Sequence, residues 1–174
     1  MGTGQSLRKT LRATLNSSVA GAKKLAVLCI GSDLRGDDGA GVLVAERLQK
    51  SLANSRKRPP VKIFAGFTAP ENLTGEIKRY KPSHVIIVDT ADFKEAPGTV
   101  VVLDPGDVGS GVSFSTHKMP AKILVDYLQK SLACDVTIIG IQPKNIDFGE
   151  ALSKIVAGAA KEVAGAISDL VLKR

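Results

Sequence analysis

The chain has 174 residues, enough for one folded domain, and a formal net charge of +7. Its composition, 44% hydrophobic and 24% charged, is typical of a globular protein and excludes a disordered or fibrous one. No apolar run approaches the roughly 20 residues of a membrane span, which excludes a transmembrane protein. With only two cysteines and two histidines, the sequence also excludes a disulfide scaffold and a Cys/His zinc site.

Residues 1–24 form a basic N-terminal extension. They hold five of the 24 bases and none of the 17 acids, so the other 150 residues carry only +2 and do not indicate nucleic-acid binding. Leucines spaced four apart predict a short amphipathic helix over residues 6–18, resting on the domain. The lack of acids also fits an organellar transit peptide, and Gly2 fits a loose myristoylation pattern. Both alternatives stay open.

Beyond residue 24, apolar strands alternate with amphipathic helices. The predicted strands are Leu25–Ile30, Val61–Ala65, Val85–Val88, Thr99–Leu103 and Val136–Ile141. The predicted helices are Gly39–Ala53, a short one from Pro70 towards Tyr80, Met119–Leu132 and Glu150–Leu172, with Ile123, Tyr127 and Ile155 among their inward side chains. This order predicts one α/β domain over residues 25–174. We expect a three-layer sandwich with a mostly parallel, doubly wound sheet of about five strands and helices on both faces.

Two strands differ from the rest in this prediction. Val61–Ala65 alternates in part between apolar and polar residues, which favours a place nearer the edge of the sheet. Thr99–Leu103 follows a Pro-Gly turn and is expected to pair antiparallel. Both cysteines, Cys29 and Cys134, lie beside apolar runs, so we expect buried, reduced thiols in a cytoplasmic protein.

Polar side chains gather where the predicted strands end, and ligands bind at that edge in such sheets. Asp37 and Asp38 follow the first strand, Asp89 ends the third, and His117 precedes a helix that begins at the same edge. One of Asp37 and Asp38 is expected to cap the following helix, and the other to face the crevice. Carboxylate oxygens with an imidazole nitrogen suit a first-row transition metal ion.

Other polar side chains near the strands have simpler interpretations. Glu71 is expected to complete a capping box that begins at Thr68, and it too lies at the edge of the sheet where ligands bind. Gln142 is either a hydrogen-bonded loop amide or a contact to substrate. Asp92 is expected in a turn, and His84, at the opposite edge of the sheet, is expected to be structural.

The glycine-rich turn after the first strand does not indicate nucleotide binding. A P-loop carries Gly-Lys-Ser/Thr where this chain has Gly36-Asp37-Asp38. Two carboxylates repel a phosphate unless a cation lies between them. The Gly-x-Ser-x-Gly turn of serine hydrolases is also absent. A metal site is therefore the better interpretation.

Five blocks of sequence, in order, carry a family resemblance. They are Cys29-Ile30-Gly31 with Arg35-Gly36-Asp37-Asp38-Gly39-Ala40-Gly41, Ala69-Pro70-Glu71-Asn72, Ile87-Val88-Asp89, Thr116-His117-Lys118-Met119-Pro120 and Gly140-Ile141-Gln142-Pro143. Together they resemble the nickel-iron hydrogenase maturation endopeptidases, in particular the branch that processes hydrogenase 3-type large subunits. The resemblance runs from about Leu25 to Leu170. The chain departs from the family in Gly31-Ser32-Asp33, which replaces the usual Gly-Asn, and in its basic N-terminal segment.

The resemblance implies the same α/β fold and a peptide hydrolase, classed in the family as an aspartic-type endopeptidase. The implied reaction is one cut near the C-terminus of a hydrogenase large-subunit precursor, made after nickel insertion. The family's metal-contacting residues carry over to Asp38, Asp89 and His117, which we expect to be the catalytic and metal-contacting residues. Nickel is expected to arrive with the precursor, and no organic cofactor, nucleic acid or membrane span is expected.

Two other functions remain as alternatives. A non-catalytic nickel carrier would use the same three ligands but would leave a precursor uncut. A metal-dependent phosphohydrolase would use the carboxylates and would need a basic side chain on the phosphate, for which Arg35 and Lys118 are the nearby candidates.

Overall fold

A computed structural model describes residues 3–55, 60–108, 113–114 and 121–173, in which strands alternate with helices. The strands are β1 (Leu25–Ile30), β2 (Val61–Phe67), β3 (His84–Asp92), β4 (Val100–Leu103), β5 (Ser113–Phe114) and β6 (Asp135–Ile141). The α-helices are α1 (Thr3–Ser18), α2 (Ala40–Ala53), α3 (Thr74–Tyr80), α4 (Ala121–Leu132) and α5 (Lys154–Leu172). Short 3-10 helices lie at Gly36–Gly39, Pro70–Leu73 and Pro105–Asp107.

The main sheet has the strand order β2-β1-β3-β6-β4. β1 pairs in parallel with β2 and β3, and β3 pairs in parallel with β6. β4 pairs antiparallel with β6, and the short β5 pairs antiparallel with the end of β3. The predicted mostly parallel α/β sheet is therefore confirmed, with β2 at one edge and the antiparallel β4 at the other.

Two apolar cores lie on opposite faces of the sheet, because successive side chains of a strand point to opposite sides. Val27 of β1 packs in the core formed with α1, α2 and α5. Leu28, the next residue, packs in the core formed with α3 and α4. All six residues of β1 are buried, as expected of a strand that has helices on both faces.

The N-terminal helix α1 packs along α5. Leu11, Leu15 and the following Val19 are buried in the core that α5 shares. Arg8 Nη2 lies 2.9 Å from Asp169 Oδ2 at the margin of this contact. In the described part of the chain, no helix combines the length and apolarity needed to cross a membrane.

The predicted capping box after β2 is wrong. Ala69, and not Thr68, occupies the N-cap of the 3-10 helix, and no side chain caps it. α3 begins only at Thr74, whose hydroxyl donates a hydrogen bond to the Glu71 carbonyl at 2.7 Å. Among the described residues, the buried Oε2 of Glu71 has no hydrogen-bond partner. The Glu71 carboxylate therefore has no capping role.

Three helical side chains predicted to face inward are exposed instead: Ile123 at 54%, Tyr127 at 42% and Ile155 at 55%. On α4 the buried stripe is formed by Leu124, Val125 and Leu128, so the helix is rotated by about one residue from the predicted face. Ile155 lies in the first turn of α5, and α5 begins at Lys154 rather than at the predicted Glu150.

Candidate active site

The two predicted carboxylates at the carboxyl edge of the sheet, Asp38 and Asp89, are both buried. Asp38 lies in the 3-10 helix that directly follows β1 and is 3% exposed. Asp89 lies near the end of β3, pairs in register with Gly140 of β6, and is 2% exposed. Because β1 and β3 are parallel neighbours, their carboxyl ends bring these residues to the same edge.

Thr90 connects the two carboxylates. Its hydroxyl donates a hydrogen bond to Asp38 Oδ1 at 2.9 Å, and its backbone N–H donates to Asp89 Oδ1 at 2.8 Å. Hydrogen bonds to a charged acceptor are stronger than neutral ones, so Thr90 holds both side chains in defined orientations. Thr90 was missed by the sequence argument. The available signal was a hydroxyl residue directly after Asp89 at a strand end.

Asp37 has a different role from its neighbour. Its Oδ1 accepts the backbone N–H of Ser153 at 2.7 Å, and its Oδ2 accepts those of Lys144 and Asn145 at 2.7 and 3.1 Å. The prediction that one of the two aspartates caps α2 is wrong, since Gly39 is the N-cap and no side chain caps that helix. Asp37 instead holds the loop between β6 and α5. Asp38 is the aspartate of this pair that contacts the Asp89 region.

Glycines let the loop after β1 pack tightly against its surroundings. A Cβ on Gly41 would lie 1.9 Å from the Ile30 carbonyl oxygen. At Gly36 the backbone has a φ of +51°, and a Cβ there would lie 2.6 Å from the Asn145 carbonyl oxygen. Larger residues cannot be placed at these contacts without moving the backbone. Both glycines therefore serve close packing of the loop that carries Asp38.

Gln142 is a hydrogen-bonded loop amide, one of its two predicted roles. Its Oε1 accepts the backbone N–H of Phe93 at 2.7 Å, and its Nε2 donates to Asp92 Oδ1 at 3.2 Å. Asp92 also accepts from the side chain and backbone of Lys94. These bonds, those from Lys94 foremost, lower the pKa of the Asp92 carboxyl to about 2. Asp92, predicted in a turn, is instead the last residue of β3, and together with Gln142 it stabilises the segment that follows.

The remaining titratable candidates lie in the structural parts of the fold. His84, at the opposite end of β3, is buried, and its Nε2 lies 2.9 Å from the Thr137 hydroxyl oxygen. Cys29 and Cys134 are buried free thiols, and burial raises the pKa of both. A raised pKa disfavours the reactive thiolate, so neither cysteine is suited to act as a nucleophile.

The third predicted ligand, His117, lies outside the described residues. Within residues 3–55, 60–108, 113–114 and 121–173, no group of three His, Cys, Asp or Glu side chains is arranged to hold a metal ion. Among the described residues, Asp38 and Asp89 are the predicted ligands that lie together, and both are hydrogen-bonded to Thr90. Their carboxylate oxygens are suitable ligands for divalent first-row ions, in particular together with an imidazole.

Comparisons with known proteins agree on one family. A model of the hydrogenase maturation protease family matches residues 42–170. The hydrogenase 3 maturation protease of Escherichia coli (strain K12) is 34% identical over 137 residues, covering 79% of this chain and 84% of that protein.

Solved structures give the same result. The NiFe hydrogenase maturation protease HycI from Thermococcus kodakarensis KOD1 has a TM-score of 0.81 and 33% identity, covering 92% of this chain and 99% of that one. The solution structure of the endopeptidase HycI from Escherichia coli has a TM-score of 0.69 and 32% identity, covering 82% and 87%. The chain therefore belongs to the hydrogenase maturation protease family and is a peptide hydrolase.

Proposed function

We propose that this protein is an endopeptidase that removes the C-terminal extension of a nickel-loaded NiFe hydrogenase large-subunit precursor. The observation that carries the proposal is the buried pair of carboxylates, Asp38 and Asp89, both hydrogen-bonded to Thr90 at the carboxyl edge of the sheet. The relatives named above are maturation proteases for hydrogenases, one of them for hydrogenase 3. We assign the same class of substrate to this chain.

The nickel of the precursor gives the buried pair a chemical role. The carboxylate oxygens of Asp38 and Asp89 are suitable ligands for a divalent first-row transition ion. In our proposal the substrate supplies this ion as its nickel, which Asp38, Asp89 and His117 contact and attract. A carboxylate accepts several hydrogen bonds, so the bonds from Thr90 are compatible with ion contact. A precursor without nickel would lack this attraction, and the enzyme would thereby test for it.

Peptide hydrolysis needs an attacking water that loses a proton and a carbonyl that is polarised. In the proposed mechanism, a site carboxylate accepts the proton of the attacking water as general base while the water oxygen bonds to the carbonyl carbon. The same group then gives the proton to the leaving nitrogen as the C–N bond breaks, which releases the C-terminal fragment as an amine. The ion held by the substrate polarises the carbonyl of the cleaved bond and stabilises the charge that develops on its oxygen. We class the enzyme as an aspartic-type endopeptidase because the family resemblance implies that class, and the proposed general base is an aspartate.

We place the reaction in the cytoplasm. Cys29 and Cys134 are buried free thiols, and reduced cysteines are typical of that compartment.

The phosphohydrolase alternative is disfavoured by the contacts of its basic candidate. Arg35 Nε donates a hydrogen bond to the Ile146 carbonyl at 3.3 Å, so this side chain helps to hold the loop between β6 and α5. The second candidate, Lys118, lies outside the described residues. A phosphatase assay with a generic aryl phosphate separates this alternative from the proposal, which predicts no turnover.

The proposal is tested by substitution of the three site residues. Asp38→Asn, Asp89→Asn and His117→Ala are each expected to slow release of the C-terminal fragment by about 100-fold or more, since each removes a reacting or ion-contacting group. Asp33→Asn is the matched control, because Asp33 is exposed in the loop that carries Asp38. Cleavage at the wild-type rate by all three site variants would contradict the assignment. Nickel binding without any cleavage by the wild type would favour a carrier.

A further inference from the structure

Three large exposed apolar side chains lie at the edge of the sheet that carries the candidate site. Leu34 is 60% exposed, Phe67 is 50% exposed and Phe148 is 77% exposed. Phe67 is the last residue of β2, and Leu34 and Phe148 lie in the segments that follow β1 and β6. The carboxyl ends of these strands form the edge that carries Asp38 and Asp89. Single exposed apolar side chains are ordinary on a protein surface, but several around one site indicate a binding surface.

Backbone hydrogen bonds join these residues to the loop that carries Asp38. The Phe67 carbonyl accepts the N–H of Gly31 at 3.0 Å, at the start of that loop. The Leu34 carbonyl accepts the N–H of Gly149 at 2.9 Å, which brings the segment containing Phe148 to the same loop. Leu34 therefore lies in this loop, Phe67 and the segment with Phe148 are bonded to it, and we name the three side chains the apolar collar.

The segments that carry Leu34 and Phe148 are held together by a network of hydrogen bonds. Gly36 donates its N–H to the Glu150 carbonyl at 3.0 Å, and Asp37 donates its N–H to the Asn145 carbonyl at 2.8 Å. The Asp37 carboxylate adds its three bonds to the same segment. A surface ordered before binding loses less conformational entropy when a partner docks.

Phe67 carries a second, independent sign of function. Its φ is +46°, in the left-handed region that bulky side chains rarely adopt, and it follows an irregularity in the pairing of β1 with β2. Such a conformation costs free energy, which the surrounding structure must offset. The aromatic ring is nevertheless half exposed. Packing in the apolar core alone therefore does not explain why this strained position holds a phenylalanine.

We propose that the apolar collar binds apolar side chains of the precursor directly beside the cleaved bond. This inference rests on the proposed function and adds where the substrate chain docks. Asp38 and Asp89 are buried at the carboxyl edge of the sheet, so we expect the peptide bond to approach them from this edge. In the proposal, the peptide on either side of that bond passes over the side chains in and beside the Asp38 loop.

The test compares collar variants for cleavage of the nickel-loaded precursor, with KM and kcat measured separately. In the double variant Leu34→Ser/Phe148→Ser, we expect KM to rise about tenfold or more, with kcat within about twofold, because apolar burial is lost on binding and the reacting groups remain. Phe67→Asn is expected to raise KM as well, since asparagine tolerates a positive φ and the backbone can be kept.

Controls separate docking from folding. Tyr127→Ser removes an exposed aromatic side chain from α4, outside the collar, and is expected to leave KM unchanged. The apolar replacement Leu34→Met/Phe148→Leu is expected to keep KM close to that of the wild type. Thermal unfolding of each variant checks that the fold is intact.

The outcomes distinguish the two proposals. An unchanged KM in the folded serine double variant, with normal cleavage by the wild type, would overturn the collar and leave the proposed function in place. Failure of the wild type to cleave a nickel-loaded precursor would overturn the proposed function and the collar with it.

Discussion

Asp37 and Asp38 are neighbours with the same side chain, and their surroundings give them separate roles. Asp37 accepts three backbone N–H groups from the segment between β6 and α5. Asp38 accepts the hydroxyl of Thr90, beside Asp89. We therefore expect a substitution at Asp37 to lower the stability of the fold, and a substitution at Asp38 to lower the rate of cleavage.

Asp37→Asn is expected to lower the free energy of unfolding by about 2–4 kcal/mol, because an amide replaces one acceptor oxygen by a donor that faces backbone N–H groups. The measurement is equilibrium unfolding in urea, with Asp33→Asn as the exposed control on the same loop. Equal stability of Asp37→Asn and the wild type would show that these bonds do not hold the loop.

Thr90 is a positioning residue in this account, and its hydroxyl can be removed with little change in shape. Thr90→Val is expected to lose about 1.5–3 kcal/mol of stability, the range for a hydrogen bond to a charged group. We also expect kcat for precursor cleavage to fall, with KM nearly unchanged, since Asp38 loses its orientation. Thr90→Ser keeps the hydroxyl and should restore kcat. Equal kcat values for the valine and serine variants would contradict this role.

At the scale of strands and helices, the pattern of apolar residues predicts an element correctly where that element packs against other apolar side chains. β1 occupies the predicted residues Leu25–Ile30, because a buried parallel strand reads as an uninterrupted apolar run. β3 continues beyond the predicted Val88 to Asp92. The polar residues there stay in the strand because they pair with β6 and β5, and this pairing leaves no periodic signal in the sequence.

The candidate site was predictable only in part, for the same reason. The place of Asp89 follows from its position at the end of an apolar strand. The choice between Asp37 and Asp38 cannot be made from the sequence. The backbone N–H groups that donate to Asp37 lie more than a hundred residues further along the chain. The start of α5 was misplaced because the segment before it bonds to Asp37 rather than forming a helical turn.

The contact between α1 and α5 makes the N-terminal helix part of the folded molecule. Leu15→Ala is expected to lower the free energy of unfolding by about 2–5 kcal/mol, since Leu15 is 0% exposed and its truncation leaves a cavity. Leu7→Ala, a partly exposed position on the same helix, should have a smaller effect. Urea unfolding of both variants checks this. Equal effects would mean that α1 is not packed as described.

On the scale of the whole molecule, the sheet separates stability from function. Two apolar cores lie on its two faces, and the carboxylates, Thr90 and the apolar collar lie at its carboxyl edge. Net folding free energies are only about 5–15 kcal/mol, so the two apolar cores must supply stability that the polar edge does not. In our account, the nickel-loaded precursor binds at that polar edge.

The most direct test of the account is incubation of the wild-type protein with matched nickel-loaded and nickel-free precursor, followed by mass measurement of the released C-terminal fragment. We expect one fragment of defined mass from the nickel-loaded precursor and none from the nickel-free one. Asp38→Asn should release the fragment from the nickel-loaded precursor at least about 100-fold more slowly than the wild type. Equal cleavage of both precursors would contradict the claim that the buried carboxylates recognise the nickel ion. Release by Asp38→Asn at the wild-type rate would contradict the claim that they act in cleavage.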